Sequence, residues 1–263
     1  MQIADLGDVQ LHYRIDGDPA GAPIVFANSL GTDLRVWDKV VDRLPAGLRI
    51  IRYDKRGHGL SSTPAAPYSM GALVRDAERL LDHLEVRDSV FVGLSIGGMI
   101  AQGLAVKRLD QIRALVLSNT AAKIGTAQMW RDRAQAVETG GIEALADSVM
   151  ERWFSKAFRA TAELHLWRNM LVQQSKDGYA GCSAAIAGTD FYTPTSGLRL
   201  PCLGIAGSED GSTPPDLVRE TVDLIPGSQF QLIRRAGHIP CVEQPEAFCT
   251  HLNRFLKEIG HIL

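Results

Sequence analysis

The 263-residue chain lacks most of the features that mark a specialised protein class. Its four cysteines, Cys182, Cys202, Cys241 and Cys249, show no C-x-x-C spacing and are too few for a disulfide framework at this length, so buried free thiols are expected. The histidines, among them His58, His83, His165, His238 and His251, are scattered without the spacing of a zinc site. No metal and no other cofactor is expected. No stretch reaches the roughly 18 consecutive apolar residues of a membrane span. The opening Met1-Gln2-Ile3-Ala4-Asp5-Leu6 lacks the basic and apolar regions of a secretory leader, which points to the cytoplasm and to no membrane partner. Charge of one sign is missing too. The 28 Lys and Arg against 30 Asp and Glu give a net charge of -2 with no basic block, which argues against a nucleic-acid partner. What remains is 45% hydrophobic and 22% charged, the balance of one globular domain or of a core with one insertion.

What is present centres on Val90-Phe91-Val92-Gly93-Leu94-Ser95-Ile96-Gly97-Gly98-Met99-Ile100. An apolar run, residues 89–92, enters a turn flanked by glycines, and a helix-like run, residues 96–106, leaves it. This is the strand, turn and helix setting of a G-x-S-x-G nucleophile elbow. Gly93 and Gly97 stand two residues either side of Ser95, where a sharp turn leaves no room for side chains, and Ser95 is pushed out at the tip. At the start of a helix the serine also faces unsatisfied N–H groups and the positive end of the dipole, which suits a site where an oxyanion forms.

Taken in order, Val9, Leu11 and Tyr13 alternate with polar residues as in a half-buried strand, followed by the turn Asp16-Gly17-Asp18-Pro19. The sheet should therefore begin with antiparallel pieces. Residues 24–27 read as a strand covered on both faces, ending at Asn28-Ser29-Leu30-Gly31. A helix is predicted over about 36–44, a strand over 48–53, a glycine-rich turn over 54–61 and a helix over 69–84 with one buried stripe. Residues 112–117 supply the strand after the elbow helix. Strand and helix alternate, which builds a doubly wound α/β core with a parallel sheet. From 121 to 196 the strand signal disappears, and Trp130, Met150, Trp153, Phe154, Trp167 and Met170 punctuate helix-like segments. A strand-free stretch of this length exceeds a normal crossover. Residues 121–196 are expected to be an inserted helical cap on a core formed by 1–120 and 197–263. The core resumes with strands over 202–206 and 230–233 and helices over 215–225 and 245–259.

A serine hydroxyl is a weak nucleophile at neutral pH and needs a base, and the base needs a third group to hold its tautomer. When a serine sits on such an elbow, the acid and then the histidine follow it in the chain, each after a later strand. Asp210 and His238 occupy those places, at the edge of the sheet that presents Ser95. Asp210 competes with Glu209 and Asp190. His58, which precedes the serine in a glycine-rich turn, reads as structural. The oxyanion hole should combine the N–H of Ile96 with that of Leu30, beside Gly31.

Over essentially its whole length the chain resembles the α/β-hydrolase superfamily, which implies a mostly parallel, eight-stranded sheet flanked by helices. Within it, Asn28-Ser29-Leu30-Gly31-Thr32-Asp33-Leu34, Gly93-Leu94-Ser95-Ile96-Gly97-Gly98-Met99, Asn119-Thr120-Ala121-Ala122-Lys123-Ile124-Gly125, and Gly140-Gly141-Ile142 with Glu151-Arg152-Trp153-Phe154 resemble the 3-oxoadipate enol-lactonases. That resemblance implies a cofactor-free Ser95, Asp210 and His238 triad that opens an anionic enol-lactone to 3-oxoadipate in the β-ketoadipate route of aromatic breakdown. It also favours Trp130 and Arg133, three residues apart on one helix face, as an aromatic wall and a cation for the substrate carboxylate. One departure is Ile239, where a polar residue is expected after the histidine. Three other readings use the same fold. They are a carbon–carbon bond hydrolase of ring-fission products, a general carboxylesterase or perhydrolase, and a slow ligand sensor that retains the triad. A dehalogenase is disfavoured because it would carry aspartate in place of Ser95.

Overall fold

In the computed structural model, which describes residues 1–262, the apolar run before the elbow is the buried centre of one eight-stranded sheet. Its strands are β1 (Gln2–Asp5), β2 (Gln10–Gly17), β3 (Ala22–Ala27), β4 (Leu48–Tyr53), β5 (Ser89–Leu94), β6 (Ile112–Ser118), β7 (Cys202–Gly207) and β8 (Gln229–Ile233). They lie in the order β1-β2-β4-β3-β5-β6-β7-β8. β1 and β2 run antiparallel to their neighbours and every later pairing is parallel. Every residue of β5 is buried, as an apolar strand covered on both faces requires. β1 had no counterpart in the pattern, since Ala4 is its one buried residue and Ile3 points outward.

The helices are α1 (Asp38–Val41), α2 (Met70–His83), α3 (Ile96–Lys107), α4 (Ala127–Gly140), α5 (Glu143–Trp153), α6 (Lys156–Arg159), α7 (Leu164–Val172), α8 (Lys176–Ala187), α9 (Tyr192–Ser196), α10 (Pro215–Asp223), α11 (Pro240–Glu243) and α12 (Pro245–Glu258). The helix expected over 36–44 is instead a 3-10 turn, Leu34–Trp37, running into the four residues of α1. Asp33 caps the turn by accepting from Arg35 N–H, and Trp37 is pinned by its indole N–H, which donates to Asn28 Oδ1 at 2.9 Å. After Val41 the N–H groups of Arg43 and Leu44 reach back only three residues, and Pro45 then bars helical backbone at Leu44.

The chain passes from β3 outward to β4 and then returns to the other side of β3 as β5. The order therefore reverses between β3 and β5, and the loops leaving their carboxyl ends diverge around a crevice, the usual ligand position in an open α/β sheet. Ala27 at the end of β3 is paired with Gly93 two residues before Ser95, so residues 28–34 and the elbow face each other across it.

Between β6 and β7 the chain forms six helices, α4 to α9, and no strand. The last of them does not stand apart from the sheet layer. Thr195 on α9 donates to Gln102 Oε1 on α3 at 2.8 Å, and Gln102 Nε2 in turn donates to Gly98 O and Ala121 O. The four cysteines are all free and buried.

Candidate active site

The elbow is held by contacts that admit no side chain at its glycines. A Cβ on Gly93 would lie 2.3 Å from Gly97 O, and one on Gly97 would lie 2.2 Å from Ala27 O. The tight turn forces Ser95 to φ 59°, a left-handed conformation unusual outside glycine. Surrounding bonds hold it there. Ser95 N–H donates to Ser118 O at 3.0 Å, and its carbonyl accepts from Gly98 N–H and from the Thr120 hydroxyl, the latter at 2.6 Å. Its own hydroxyl takes no protein partner among the described residues and faces a cavity of about 140 Å³ lined also by His238. The serine and the histidine thus share one cavity without a direct hydrogen bond.

His238 sits just past β8 and Asp210 just past β7. The Asp210 carboxylate meets His238 Nδ1 at 2.9 and 3.1 Å. It also accepts from Asn119 Nδ2, from the Thr213 hydroxyl and from the N–H groups of Ser212 and Thr213, all at 2.7–3.0 Å. Burial alone would raise this carboxyl, but the neighbouring imidazole and these donors overrule it and hold the group below the usual carboxylate range. A histidine whose Nδ1 faces a carboxylate presents Nε2 as its free face, which is the tautomer a serine's general base requires. The two rival acids lie elsewhere. Glu209 is exposed, and Asp190 is exposed and paired with Lys123 at 3.0 Å.

Leu30 and Ile96 lie at the ends of the two facing loops. Among the described residues neither N–H donates to a protein acceptor, whereas Gly31 N–H does, to His58 Nε2 at 3.0 Å. His58 is fully buried and feeds the Leu30 loop rather than the serine. Burial, reinforced by the nearby Lys55, pushes its pKa well below the usual histidine value, so it stays neutral.

The opposite wall comes from the helical segment. Trp130 on α4 is buried with its indole N–H on Ile124 O at 2.6 Å, and the Arg133 guanidinium lies over its ring at 5.1 Å, the one-face arrangement their spacing implied. Arg131 points outward and bonds Gln128. Sequence reasoning missed two further groups here. Arg152, at the end of α5, lines the same cavity, with a buried Nη2 that has no partner among the described residues. The hydroxyl of Tyr179, on α8, is likewise buried and unpartnered. Burial, then the charge of Arg133, lower the Arg152 pKa, while burial raises Tyr179 against the pull of both arginines. Among the described residues neither Arg133 nor Arg152 has a carboxylate partner, and the wall presents two unneutralised guanidinium groups and a phenol. The signal in the sequence was the segment Glu151-Arg152-Trp153-Phe154, whose arginine no periodicity argument could aim.

Backbone bonds tie this wall to the loops that carry Asp210 and His238. His238 N–H donates to Trp153 O at 2.7 Å and Gly211 N–H to Arg152 O at 3.1 Å. Glu243 on α11 accepts from Gly237 N–H at 2.6 Å and from Ser155 N–H at 3.1 Å, joining both sides with one carboxylate. Among the described residues no group of three or more metal-binding side chains occurs, and no helix is long and apolar enough to cross a membrane.

Residues 24–251 match the model of the alpha/beta hydrolase family. The chain is 37% identical to 3-oxoadipate enol-lactonase 2 of Acinetobacter baylyi over 96% of its own length and 95% of that protein's. It is 34% identical to 3-oxoadipate enol-lactonase 1 of the same organism, over 95% and 94%. Among solved structures, the enol-lactonase from Burkholderia xenovorans LB400 superposes with a TM-score of 0.94 at 37% identity, covering 97% of this chain and all of the other.

Proposed function

The chain belongs to the α/β-hydrolase family and, within it, to the 3-oxoadipate enol-lactonases, and from that membership we propose that it opens 3-oxoadipate enol-lactone to 3-oxoadipate with Ser95 as nucleophile. The observation that carries this reading is the cavity itself. It sets a serine and a histidine backed by a buried carboxylate opposite two arginines that have no counter-ion among the described residues. An uncharged ester gives that second wall nothing to bind, whereas a lactone with a pendant carboxylate satisfies both walls at once.

In this reading Ser95 Oγ attacks the lactone carbonyl carbon while His238 takes its proton and Asp210 holds the imidazole. The carbonyl oxygen gains the negative charge and is met by the Leu30 and Ile96 N–H groups. The ring C–O bond then breaks, His238 returns the proton to the leaving enol oxygen, and the acyl group stays on Ser95. The enol is a better leaving group than a simple alkoxide, and its tautomerisation to the ketone makes ring opening effectively irreversible. Water, deprotonated by His238, attacks the acyl-enzyme and releases Ser95 and the new carboxylate. Residues 121–196 act as the cap, in which Trp130 bounds the ring and Arg133 and Arg152 hold the pendant carboxylate. The substrate places the enzyme in the β-ketoadipate route of aromatic breakdown. Its four free thiols suit the reducing cytoplasm.

The test is turnover by purified protein of the enol-lactone, its carboxyl methyl ester, simple uncharged esters and ring-fission diketones. The proposal expects kcat/KM for the anionic lactone to exceed that for the methyl ester by at least about ten-fold, from a charge-assisted contact of roughly 1.5–3 kcal/mol. Preferential turnover of ring-fission diketones, or equal turnover of charged and uncharged esters, would replace it.

A further inference from the structure

Lys55 is 3% exposed, and among the described residues it has no carboxylate within ion-pair distance. A lone ammonium in such a place carries a large desolvation cost, which is rarely retained without a role. Its Nζ donates to Ser29 O at 2.6 Å and to Thr32 O at 3.3 Å. Those two carbonyls bracket Leu30 and Gly31. The same turn is gripped from its other sides, by His58 Nε2 on Gly31 N–H at 3.0 Å and by Asp54 Oδ1 on Leu34 N–H at 2.7 Å. Arg56, the next residue in the chain, is anchored by a two-pronged contact with Asp76 of α2 at 2.6 Å for each bond.

We propose that Lys55 is a positioning residue for acyl transfer, its buried ammonium holding the turn that carries Leu30 N–H and supporting the negative charge that develops at Leu30 and Ile96. The group acts through the loop and the local field and does not touch the substrate. In a dry interior a positive charge on the turn that carries an oxyanion-binding N–H is felt far more strongly than in water. The groups that face it are Asp33 and Asp54 from the loop and strand end, Cys182 from α8, and His58 from the neighbouring turn. Burial pushes the Lys55 pKa down to about 8, with Cys182, Asp54 and Asp33 pulling the other way. Burial also pushes the Cys182 thiol up to about 12, so it stays neutral through the same range.

The charge is therefore lost in an accessible pH window. Neutral lysine still carries two N–H groups for Ser29 and Thr32, so the turn keeps its bonds while the field disappears. Stability moves the other way. Between pH 8 and the ordinary lysine value of 10.5, the unfolded chain holds more protons at this position than the folded one, so this group makes the fold more stable as pH rises. Activity falling while stability does not is a signature that a purely structural lysine would not give.

The inference rests on Ser95 being the nucleophile, and the test separates the two. The pre-steady-state burst of p-nitrophenol from p-nitrophenyl acetate reports acylation from pH 6.5 to 10, with the melting temperature taken at each pH. Wild type should lose roughly ten-fold in acylation rate with a midpoint near pH 8, at constant KM and without a lower melting temperature. Lys55→Met should be slow and flat across the range. Lys55→Arg, permanently charged, should retain more of its pH 7 rate at pH 9.5 than wild type does. A wild-type burst that stays flat to pH 9.5 overturns the inference even if Lys55→Met does not fold, as does an alkaline limb that persists in Lys55→Met. If acylation is the slow step and no burst forms, the steady-state release of p-nitrophenol reports acylation and is read against pH in its place; p-nitrophenyl acetate turnover undiminished in Ser95→Ala overturns both this inference and the nucleophile assignment.

Discussion

The two walls of the cavity are built on opposite plans. On the sheet side the supporting polar atoms are committed before any ligand arrives, and among the described residues the Ser95 hydroxyl and the Leu30 and Ile96 N–H groups are left open: Asp210 meets His238 and four further donors, Ser95 O accepts from Thr120, and Gly31 N–H is held by His58. On the helical side the Trp130 indole is bonded but, among the described residues, Arg152 Nη2 and the Tyr179 hydroxyl are buried without partners. Saturated hydrogen bonding fixes geometry and makes it costly to disturb, which is what positioned nucleophile, base and acid require. Unsatisfied buried donors carry a cost that a matching anion removes, which is what a selective binding wall requires. Under the proposed function the comparison separates chemistry from recognition, one on the strand ends and one on the helices between β6 and β7.

The sharpest way to break the sheet-side plan is at its centre. Ser95→Ala should leave circular dichroism and melting unchanged and remove at least about 10⁴ of kcat on every substrate. Retention of more than about a hundredth of the wild-type rate would mean that no acyl-enzyme forms on this residue. Asp210→Asn should come next, with a loss of about 10⁴ in kcat through the wrong histidine tautomer, against less than two-fold for exposed Glu209→Gln. A crippled Glu209→Gln beside a nearly silent Asp210→Asn would move the acid. Because the Asp210 carboxyl is held below its unfolded value of 3.8, its contribution to stability is complete above that pH and lost as pH falls through the folded value. Urea titrations from pH 5 to 2 should therefore show wild type losing stability that Asp210→Asn does not lose.

The helical wall should answer differently. Arg152→Met should raise KM for the anionic lactone by about 10- to 100-fold and alter its kcat much less, the signature of binding shared by ground and transition states. A fall in kcat with KM unchanged would move Arg152 from recognition to chemistry. The smallest effect expected is at Thr126, whose hydroxyl caps α4 by accepting from Met129 N–H at 3.2 Å, about one turn before Trp130 and about two before Arg133. Thr126→Ala should cost about 1 kcal/mol in a denaturant melt and raise KM no more than a few-fold.

The same division governs how much of the molecule could be read from its sequence. The elbow, the strand ends carrying Asp210 and His238, and the strand-free stretch were legible because each is a local pattern: glycines two residues from a serine, an apolar run ended by a turn, helical spacing without alternation. Trp130 and Arg133 were legible for the same reason, being neighbours on one helix face. Arg152, Tyr179, Asn119 and Glu243 were not. Asn119 reaches Asp210 and Glu243 reaches Ser155 across separations of 91 and 88 residues, and no periodicity in either segment encodes those meetings. α11, which begins two residues after His238 and carries Glu243, was hidden behind Pro240 in what read as loop. The helix over 36–44 failed for a different reason, since its apolar spacing is real but Trp37 is anchored to Asn28 and Pro45 ends the run too early.

The most direct test of the division between the walls is the doubly substituted Arg133→Ala/Arg152→Met protein, assayed side by side on the anionic enol-lactone and on its carboxyl methyl ester. The account predicts that kcat/KM falls by two orders of magnitude or more, roughly, on the anionic lactone and changes less than about three-fold on the methyl ester, which needs only the sheet-side wall. Equal losses on the two substrates would contradict it, because the arginines would then be maintaining the catalytic geometry rather than reading the charge of the ligand.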